Sequence, residues 1–173
     1  ASKVKSCNQV GFNSTLERMS AETSEEELLA KIDEFNNNDD IDGFIVQLPL
    51  PAHLCETRIL GAIDKRKDVD GLHPENVGQL ALNRQKNCLR SCTPLGCMEL
   101  LKQNNIQIAG KHAVIVGRSN IVGMPLSLML LHANATVTVC HSHTANLKEI
   151  VSQGDIVVAA VGKPSFLTAE YFR

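Results

Sequence analysis

The stretch that most constrains the fold runs from His112 to Pro125 and reads HAVIVGRSNIVGMP. Residues 113–116 are wholly apolar and mostly β-branched, which is typical of a parallel strand buried on both faces. Gly117 ends this run, and Gly123 follows shortly before Pro125, a residue that is favoured in the first turn of a helix. The stretch therefore predicts a strand, a glycine-bounded turn and a helix, with the proline at the first helical position.

This layout aims backbone N–H groups and a helix N-terminus at one point, an arrangement that binds phosphate groups. The common dinucleotide-binding pattern Gly-x-Gly-x-x-Gly lacks its middle glycine here, because Ser119 occupies that position. Taken alone, the turn is therefore also compatible with a strand-to-helix loop that binds nothing. The residues that follow favour the phosphate-binding interpretation.

Two further runs rich in β-branched residues follow, at 135–140 and 155–161, and the polar stretch 144–151 between them is a helix candidate. Strands that alternate with helices are typical of α/β proteins and predict a Rossmann-like, doubly wound unit with a parallel sheet. In such a unit the end of the second strand faces the adenosine ribose of a bound dinucleotide.

The end of the second predicted strand, Cys140-His-Ser-His-Thr144, contains no acidic residue. A carboxylate at this place would accept a hydrogen bond from a free 2′-hydroxyl and repel a 2′-phosphate. Arg118, from the turn, can reach the same side and make a charge-assisted contact. The sequence therefore predicts NADP rather than NAD as the cofactor, with Ser142 close to where an acid would otherwise stand.

Metal binding is not indicated by the histidines or the cysteines. His141 and His143 are spaced as two ligands on one face of a strand would be, but no third ligand is evident, so we expect His141 to be part of the loop and His143 to face solvent. The six cysteines are scattered without the paired spacing of a metal site. They favour a reduced compartment, and we expect a cytoplasmic protein, or an organellar one whose leader has been removed.

Charge and composition exclude several classes of partner. The formal net charge is −2 and the pI is about 6.3, so no basic surface for nucleic acid or for an acidic membrane is indicated. With no Trp and one Tyr, aromatic platforms that stack bases are absent as well. No apolar run approaches the length that spans a bilayer. We expect neither a nucleic-acid partner nor a membrane partner.

In the first half of the chain, residues 1–10 have the character of the end of a helix, which Gly11 stops, so we expect that a preceding piece is missing. A second helix follows, and Thr23 and Glu26 have the spacing of a capping box. Its apolar face is predicted to consist of four residues: Leu28, Leu29, Ile32 and Phe35.

The segment Phe44–Val46 is predicted to be a buried strand, and Gln47 stands where that strand ends. Pro49 and Pro51 prevent further pairing and hold the chain extended. Ligands of open α/β sheets bind outside the carboxyl ends of the strands, which makes Gln47 a candidate ligand residue. The alternative is that its amide ties down the proline-rich loop, and position alone does not separate the two.

A short helix is predicted over 57–63, followed by a charged turn over 65–71 in which Gly71 takes a positive φ. Asp70 is a candidate ligand carboxylate within that turn, although the sequence alone favours a plain turn residue. Residues 72–92 are expected to be irregular apart from a short ordered piece at 76–82.

A helix is then predicted from the Thr93-Pro94 pair to about Lys102, with Thr93 as N-cap and Pro94 at the first helical position. Its apolar face is predicted to consist of Leu95, Met98 and Leu101. The chain ends as abruptly as it begins, because a doubly wound domain normally continues with further strands. We therefore expect that both ends of the fold are incomplete.

Five segments in order now carry a resemblance: Gln47-Leu-Pro-Leu-Pro51, Lys67-Asp-Val-Asp-Gly71, Cys92-Thr-Pro-x-Gly96, Gly117-Arg-Ser-x-x-Val-Gly-x-Pro125 and Cys140-His-Ser-x-Thr144. With them the chain closely resembles the methylenetetrahydrofolate dehydrogenase/cyclohydrolase family. The resemblance implies two α/β lobes: a folate-binding catalytic lobe at 1–92 and an NADP-binding, Rossmann-like lobe at 93–173. It also implies a homodimer formed through the nucleotide lobes.

The resemblance further implies which residues act in each lobe. It places the catalytic lysine at Lys3, the strand-end glutamine at Gln47 and the pterin-binding aspartate at Asp70. The tyrosine of the family's Tyr-x-x-x-Lys motif would fall two positions before Ala1, and the family's Gly-Gly-Val-Gly-Pro segment is not in this sequence. The implied NADP-binding residues are Gly117, Arg118, Ser119, Val122, Gly123, Pro125, His141, Ser142 and Thr144.

The activity that the resemblance implies is NADP-dependent oxidation of 5,10-methylenetetrahydrofolate to the 5,10-methenyl form, and hydrolysis of that product to 10-formyltetrahydrofolate, as part of one-carbon metabolism and purine biosynthesis. A Rossmann dehydrogenase for another small substrate would explain residues 110–162 but would leave Lys3, Gln47 and Asp70 without a role. A catalytically inactive homologue that serves as a scaffold is the third hypothesis. The presence of all three residues argues against it.

Overall fold

The computed structural model describes residues 2–83 and 88–172. Within that part of the chain, helices precede a region in which helices and strands alternate, and a 3-10 turn at Ala169–Tyr171 follows. The elements are α1 (Ser2–Gln9), α2 (Glu25–Asn36), α3 (Glu56–Ala62), α4 (Pro74–Ala81), α5 (Cys92–Gln103), β1 (His112–Val116), α6 (Gly123–His132), β2 (Thr136–Cys140), α7 (Leu147–Val151) and β3 (Ile156–Ala159).

The three strands form one parallel sheet in the order β2-β1-β3, with His112 opposite Thr136 and Ala113 opposite Ile156. This arrangement confirms the α/β class and the parallel sheet predicted from the sequence. The third strand is shorter than the predicted 155–161 because its partner β1 ends at Val116, which pairs with Ala159.

The sheet is buried on both faces, as the apolar run predicted. Ala113 and Ile115 point to one side, where they pack with α5 and α6, and Val114 and Val116 point to the other side, where they pack with α7. None of these four side chains is more than 2% exposed. Burial of each Val or Ile side chain stabilises the fold by roughly 1.5–3 kcal/mol, so β1 is the centre of this half of the molecule.

Helix α6 confirms the predicted sequence of strand, turn and helix. Leu126, Met129 and Leu130 are buried against the sheet. Pro125 is at the third helical position rather than the first, because the helix already begins at Gly123. A proline is tolerated there since the N–H groups of the first turn lack helical acceptors in any case.

Helix α5 begins two residues earlier than predicted, at Cys92 rather than Pro94, and Ser91 rather than Thr93 occupies the N-cap position. The apolar face is also different: Leu95 is 38% exposed, and Pro94 is buried instead. The reason is that the helix packs on the sheet through the i, i+3, i+4, i+7 row that starts at Pro94. The other residues of this row are Cys97, Met98 and Leu101.

Helix α7 is shorter than the predicted 144–151. It begins at Leu147 because His141 and Thr144 bond to each other in a turn, and Asn146, with φ of 52°, has a left-handed conformation just before the helix. None of the described helices has both the length and the apolar composition that are needed to cross a membrane.

In the first half of the chain, α1 ends close to the predicted position, at Gln9. The capping box of α2 is formed by Ser24 and Glu27, one residue after the predicted Thr23 and Glu26. The Ser24 hydroxyl accepts from the Glu27 N–H, and the Glu27 carboxylate accepts from the Ser24 N–H at 2.8 Å. Both pairs have the required spacing, and serine is the better N-cap residue, so the later pair forms the box.

The predicted strand Phe44–Val46 is wrong. Phe44 makes a single parallel bridge to Asp68, and no ladder extends from it within the described residues. The segment beside Phe44 is a turn, so it supplies one backbone pairing position, whereas a strand needs a partner along several residues. The side chains of Phe44 and Val46 nevertheless pack on the cluster formed by Ile32, Ile59 and Ile63.

The remaining helices of this half lie near their predicted positions. Helix α3 occupies Glu56–Ala62, one residue before the predicted 57–63. Helix α4 occupies Pro74–Ala81, so the ordered piece predicted at 76–82 begins earlier. It starts there because His73 caps it, accepting through Nδ1 from the Glu75 N–H at 3.1 Å.

Candidate functional site

The charged turn, residues 65–71, is held on one side by an interaction with α2. The Lys67 ammonium group donates to two carbonyl oxygens, at 3.1 Å to Phe35 and at 2.7 Å to Asn38. Carbonyl groups at the end of a helix lack helical donors and carry partial negative charge, so a lysine stabilises them. The turn is thereby attached to the C-terminal end of α2.

A buried carboxylate holds the same turn on the other side. Asp68 is 2% exposed, and its Oδ2 accepts from the His73 N–H at 2.7 Å and from the Asn76 side-chain amide at 2.8 Å. The same amide donates to the carbonyl oxygen of Lys65 at 2.9 Å. Asp68 therefore links the turn to the N-terminal end of α4, and together these bonds fix where Asp70 lies.

Gly71 takes the predicted positive φ, at 66°. A Cβ at this position would lie 2.6 Å from the carbonyl carbon of Arg90, so the backbones of the two segments are in direct contact. The prediction of a glycine turn is confirmed, and the close approach adds a second reason for glycine.

Lys3, Gln47 and Asp70 come together from three separate segments. The Lys3 Nζ donates to the Gln47 Oε1 at 3.0 Å, and the Gln47 Nε2 donates to the Leu48 carbonyl oxygen at 2.8 Å. The second bond fixes the amide so that its oxygen faces the lysine. The positive charge of Lys3 also acts on the carboxyl group of Asp70.

The pKa of Asp70 is raised above the ordinary value of an aspartate. Burial is the main cause, and the negative charge of Asp68 adds to it, while the ammonium group of Lys3 opposes it. The cluster therefore combines a cationic donor, an oriented amide and a carboxyl group that burial makes easier to protonate. Such a set can orient a polar ligand and transfer protons.

The second candidate site is the glycine loop, residues 117–123, between β1 and α6. Gly117 has a φ of 122°, and a Cβ there would overlap the carbonyl oxygen of Ala160, beside β3. A Cβ on Gly123 would overlap the carbonyl oxygen of Gly117. Both glycines are therefore required by the packing of the loop itself.

Ser119, at the position of the missing middle glycine, caps α6. Its hydroxyl accepts from the N–H groups of Val122 and Gly123, at 3.2 and 3.5 Å, and its carbonyl oxygen accepts from the Met124 N–H at 3.0 Å. Val122 and Pro125, which the resemblance implied as binding residues, are half-buried and buried, so they shape the loop from within.

Donors for a phosphate remain in the same loop. Among the residues that the structure describes, the backbone N–H groups of Arg118, Ser119, Asn120 and Ile121 have no acceptor. The Arg118 side chain is exposed and makes no ion pair with any described residue. The loop thus offers four N–H donors and a guanidinium group to an anionic ligand.

The end of β2 lies beside this loop, because the Gly117 N–H donates to the Cys140 carbonyl oxygen at 2.8 Å. His141 is part of a closed turn: its N–H donates to the Thr144 hydroxyl at 2.8 Å, and its Nδ1 accepts from the His143 N–H at 3.2 Å. His143 is exposed. Both histidine predictions are therefore confirmed.

Ser142 is exposed at the tip of this turn, at the same carboxyl edge of the sheet as Arg118. With no carboxylate in the turn and the exposed Arg118 in the loop that bonds to the end of β2, the edge fits a dinucleotide that carries a 2′-phosphate. In the described part of the chain no three His, Cys, Asp or Glu side chains are grouped so that they could hold a metal ion.

Two residues that fix the site were not singled out from the sequence. Asp68 stands two residues before Asp70, and no local pattern in the charged turn distinguishes it from a solvated carboxylate. Asn76, its partner, is the first residue of the short piece predicted to be ordered, but no role was predicted for its side chain. The hydrogen bonds that give these residues their role join segments that are eight residues apart, and the spacing of residue types does not reveal them.

Fold and site together define an α/β protein with a lysine–glutamine–aspartate cluster in its first half and, in its second half, a glycine loop at the edge of a parallel sheet that fits a dinucleotide. Residues 1–70 match the catalytic domain of tetrahydrofolate dehydrogenase/cyclohydrolase, and residues 91–173 match the NAD(P)-binding domain of the same enzymes. The chain belongs to the tetrahydrofolate dehydrogenase/cyclohydrolase family, as the resemblance of its motifs predicted.

Bacterial relatives align with nearly the whole chain. The bifunctional protein FolD of Prosthecochloris aestuarii is 50% identical over 175 residues, which cover 99% of this chain and 59% of that protein. The FolD of Lachnoclostridium phytofermentans is 52% identical over 171 residues, which cover 99% of this chain and 60% of that protein. The chain thus spans about three fifths of the length of these relatives.

Solved structures support the same assignment. The crystal structure of the bifunctional enzyme FolD from Campylobacter jejuni has a TM-score of 0.96 and 44% identity, and the match covers 99% of this chain and 61% of that one. The Trypanosoma brucei enzyme, crystallised with NADP cofactor and inhibitor, has a TM-score of 0.93 and 36% identity, with 99% and 58% covered.

Proposed function

We propose that the full-length protein oxidises 5,10-methylenetetrahydrofolate with NADP and hydrolyses the methenyl product to 10-formyltetrahydrofolate. The observation that carries this proposal is the hydrogen bond from Lys3 to Gln47, which lies beside Asp70. A family assignment alone is compatible with an inactive homologue. The formed cluster argues for an active protein, since its three side chains converge from distant parts of the chain.

In the oxidation, a hydride leaves the methylene carbon, and bound NADP supplies the acceptor for it. The resulting cation is stabilised by the folate nitrogens, so the protein contributes mainly by holding the two reactants in position. The N–H groups of Arg118 and Asn120 would hold phosphate oxygens. The Arg118 side chain and the Ser142 hydroxyl would hold the 2′-phosphate, which is why we propose NADP rather than NAD.

In the hydrolysis, water adds to the methenyl carbon, and the bond from that carbon to the folate N5 then breaks. A proton must leave the water oxygen, and a proton must reach the departing nitrogen. Lys3, whose Nζ faces the Gln47 amide, is the residue that would transfer these protons. Gln47 orients Lys3, because the amide oxygen accepts from the amine in either protonation state. Asp70 would accept hydrogen bonds from the amino and N–H groups of the pterin ring.

The organisation of the protein follows from the same interpretation. We propose a folate-binding lobe at 1–92 and an NADP-binding lobe at 93–173, a division supported by the separate matches at 1–70 and 91–173. We also propose a homodimer formed through the nucleotide lobes, in which the outer strand β2 is open to a second copy. A cytoplasmic location is in keeping with the six cysteines, all of which are free thiols.

The test is an assay of the full-length parent protein with 5,10-methylenetetrahydrofolate and either NADP or NAD, in which methenyl product is measured in acid-quenched samples. We expect turnover with NADP. Replacement of Lys3 by Met should lower hydrolysis of the methenyl substrate by about a hundredfold or more, the usual range for loss of a general acid or base.

Lys5→Met is the matched control, because Lys5 is exposed on the same helix and no bond to the cluster is recorded for it. This variant should keep wild-type activity. A folded protein with no turnover on either cofactor would contradict the proposal and favour the inactive homologue, and an equal loss in both lysine variants would contradict the role of Lys3.

A further inference from the structure

Ser91 occupies the N-cap position of α5, but its hydroxyl does not cap that helix. An N-cap serine ordinarily accepts a hydrogen bond from the second or third helical N–H. Here the hydroxyl donates to the carbonyl oxygen of Ile121 at 2.7 Å instead. Helix α5 therefore has no side-chain cap from Ser91, because the hydroxyl bonds to a residue outside the helix.

The acceptor of this bond lies in the middle of the glycine loop. Ile121 follows Asn120, whose N–H is one of the free donors, and precedes the residues that Ser119 caps. Ser91 is 7% exposed, so water competes little for the bond. Ser119 fixes the end of the loop next to α6, and Ser91 fixes its centre.

The segment that carries Ser91 also contacts the charged turn. A Cβ on Gly71 would lie 2.7 Å from the backbone nitrogen of Ser91, and the Cys92 thiol donates to the Val69 carbonyl oxygen at 3.6 Å. Val69 and Gly71 flank Asp70 in the chain. One short segment therefore touches both the turn that carries Asp70 and the loop that offers phosphate donors.

We propose that Ser91 is a positioning residue, which holds the glycine loop in its binding conformation and sets its place relative to Asp70. The proposal rests on the NADP-dependent function proposed above. It predicts that loss of the hydroxyl weakens NADP binding, while chemistry that needs only the Lys3 cluster is retained.

The test compares Ser91→Ala with Ser127→Ala in the full-length protein. Ser127 is an ideal control because it is also 7% exposed and also donates to a backbone carbonyl oxygen, that of Met124 at 2.6 Å, but this bond lies within α6. Three quantities are measured: the Kd of NADP by calorimetry, the KM for NADP with kcat of the oxidation, and hydrolysis of methenyltetrahydrofolate without nucleotide.

For Ser91→Ala we expect the Kd and the KM of NADP to rise about fivefold, the factor expected for one net hydrogen bond. Nucleotide-free hydrolysis should stay at the wild-type rate, as should every quantity in Ser127→Ala. Ser91→Thr, which keeps the hydroxyl, should restore the Kd.

An unchanged Kd in Ser91→Ala would overturn the proposal while leaving the proposed function intact. So would a fall in hydrolysis that matches the loss of NADP affinity, because it would indicate a general structural defect. If wild-type protein fails to bind NADP at all, the proposed function itself is wrong, and the role of Ser91 is excluded with it.

Discussion

The two candidate sites are held in place by different kinds of bonds. The glycine loop follows a strand whose backbone is paired on both sides. Its shape depends on two glycines, of which Gly117 packs against the backbone of Ala160, beside β3, and Gly123 packs against the backbone of the loop itself. The charged turn has a single backbone bridge and is held by the side chains of Lys67 and Asp68. The loop should therefore be sensitive to added atoms, whereas the turn, apart from Gly71, should be sensitive mainly to removed ones.

Gly117→Ala is expected to have the largest effect. Its φ of 122° is a conformation that L residues rarely adopt, and the added Cβ would overlap the carbonyl oxygen of Ala160. Together the backbone strain and the overlap should cost roughly 3 kcal/mol or more of stability. Chemical denaturation measures this loss, and NADP binding should be abolished in the protein that remains folded.

Gly96→Ala is the control, because this glycine is inside α5 and a Cβ there would meet no atom within 4 Å. Alanine should stabilise the helix by up to about 1 kcal/mol. If Gly117→Ala proved as stable as Gly96→Ala, the distinction between the two sites would fail.

Asp68→Ala tests the charged turn by removing the carboxylate that links it to α4. It leaves the N–H of His73 and one amide hydrogen of Asn76 without an acceptor in a buried place, which should cost roughly 2–3 kcal/mol. Activity should fall through a higher KM for folate, because Asp70 loses its support, while the KM for NADP stays unchanged.

Asp39→Ala serves for comparison, since Asp39 is exposed and lies outside the charged turn. It should alter stability by less than about 0.5 kcal/mol. A rise in the KM for NADP in Asp68→Ala would show that the turn and the loop are not supported independently.

The difference between features that depend on local pattern and features that depend on distant contacts explains what the sequence could predict. The strand at 113–116, the glycine turn and helix α6 were predictable because each depends on local pattern. The strand at Phe44–Val46 was wrong because an apolar run indicates burial but does not supply a pairing partner. The capping box was misplaced by one residue because two overlapping pairs satisfy the same spacing, and the structure uses Ser24.

The lysine–glutamine contact was not predictable from local pattern at all. Lys3 and Gln47 are 44 residues apart, and on its own Lys3 has the character of an exposed helix lysine. Their roles came from the resemblance of whole motifs to a family. Asp68 remained unnoticed, since neither periodicity nor charge distinguishes a buried carboxylate from a solvated one in a charged turn.

Ser142→Asp adds a negative charge to the turn after β2 and tests the preference for NADP over NAD. A carboxylate beside the 2′-phosphate would repel it, and could accept a hydrogen bond from the free 2′-hydroxyl of NAD. At this exposed edge, we expect the preference for NADP over NAD to fall by roughly 10- to 100-fold, which corresponds to a few kcal/mol at most. The ratio of kcat/KM for the two cofactors measures it.

Thr136→Asp places the same charge at the opposite, exposed end of β2, the strand that precedes the turn with Ser142. The cofactor preference should not change in this variant. A similar shift in both variants would mean that net charge, rather than the position of Ser142, determines the preference.

The smallest expected effect concerns Asp70 and the pH dependence of stability. Because burial raises the pKa of Asp70 above its value in the unfolded chain, the folded state disfavours the ionised form. Stability from this group is therefore greatest below the unfolded pKa, about 3.9, and decreases as the pH rises through the folded pKa. Asp70→Asn removes the decrease, so it should be more stable than wild type at pH 7 and lose that advantage near pH 4.

The gain should be only a few tenths of a kcal/mol, since the side chain is partly exposed and water screens its charge. Denaturation curves at several pH values measure it, with Asp39→Asn as the control that should show no such trend. If Asp70→Asn were more stable than wild type but inactive, the Asp70 carboxylate would be required for activity at a cost in stability. A destabilised variant would mean that the attraction of Lys3 outweighs burial, and that the cluster also supports the fold.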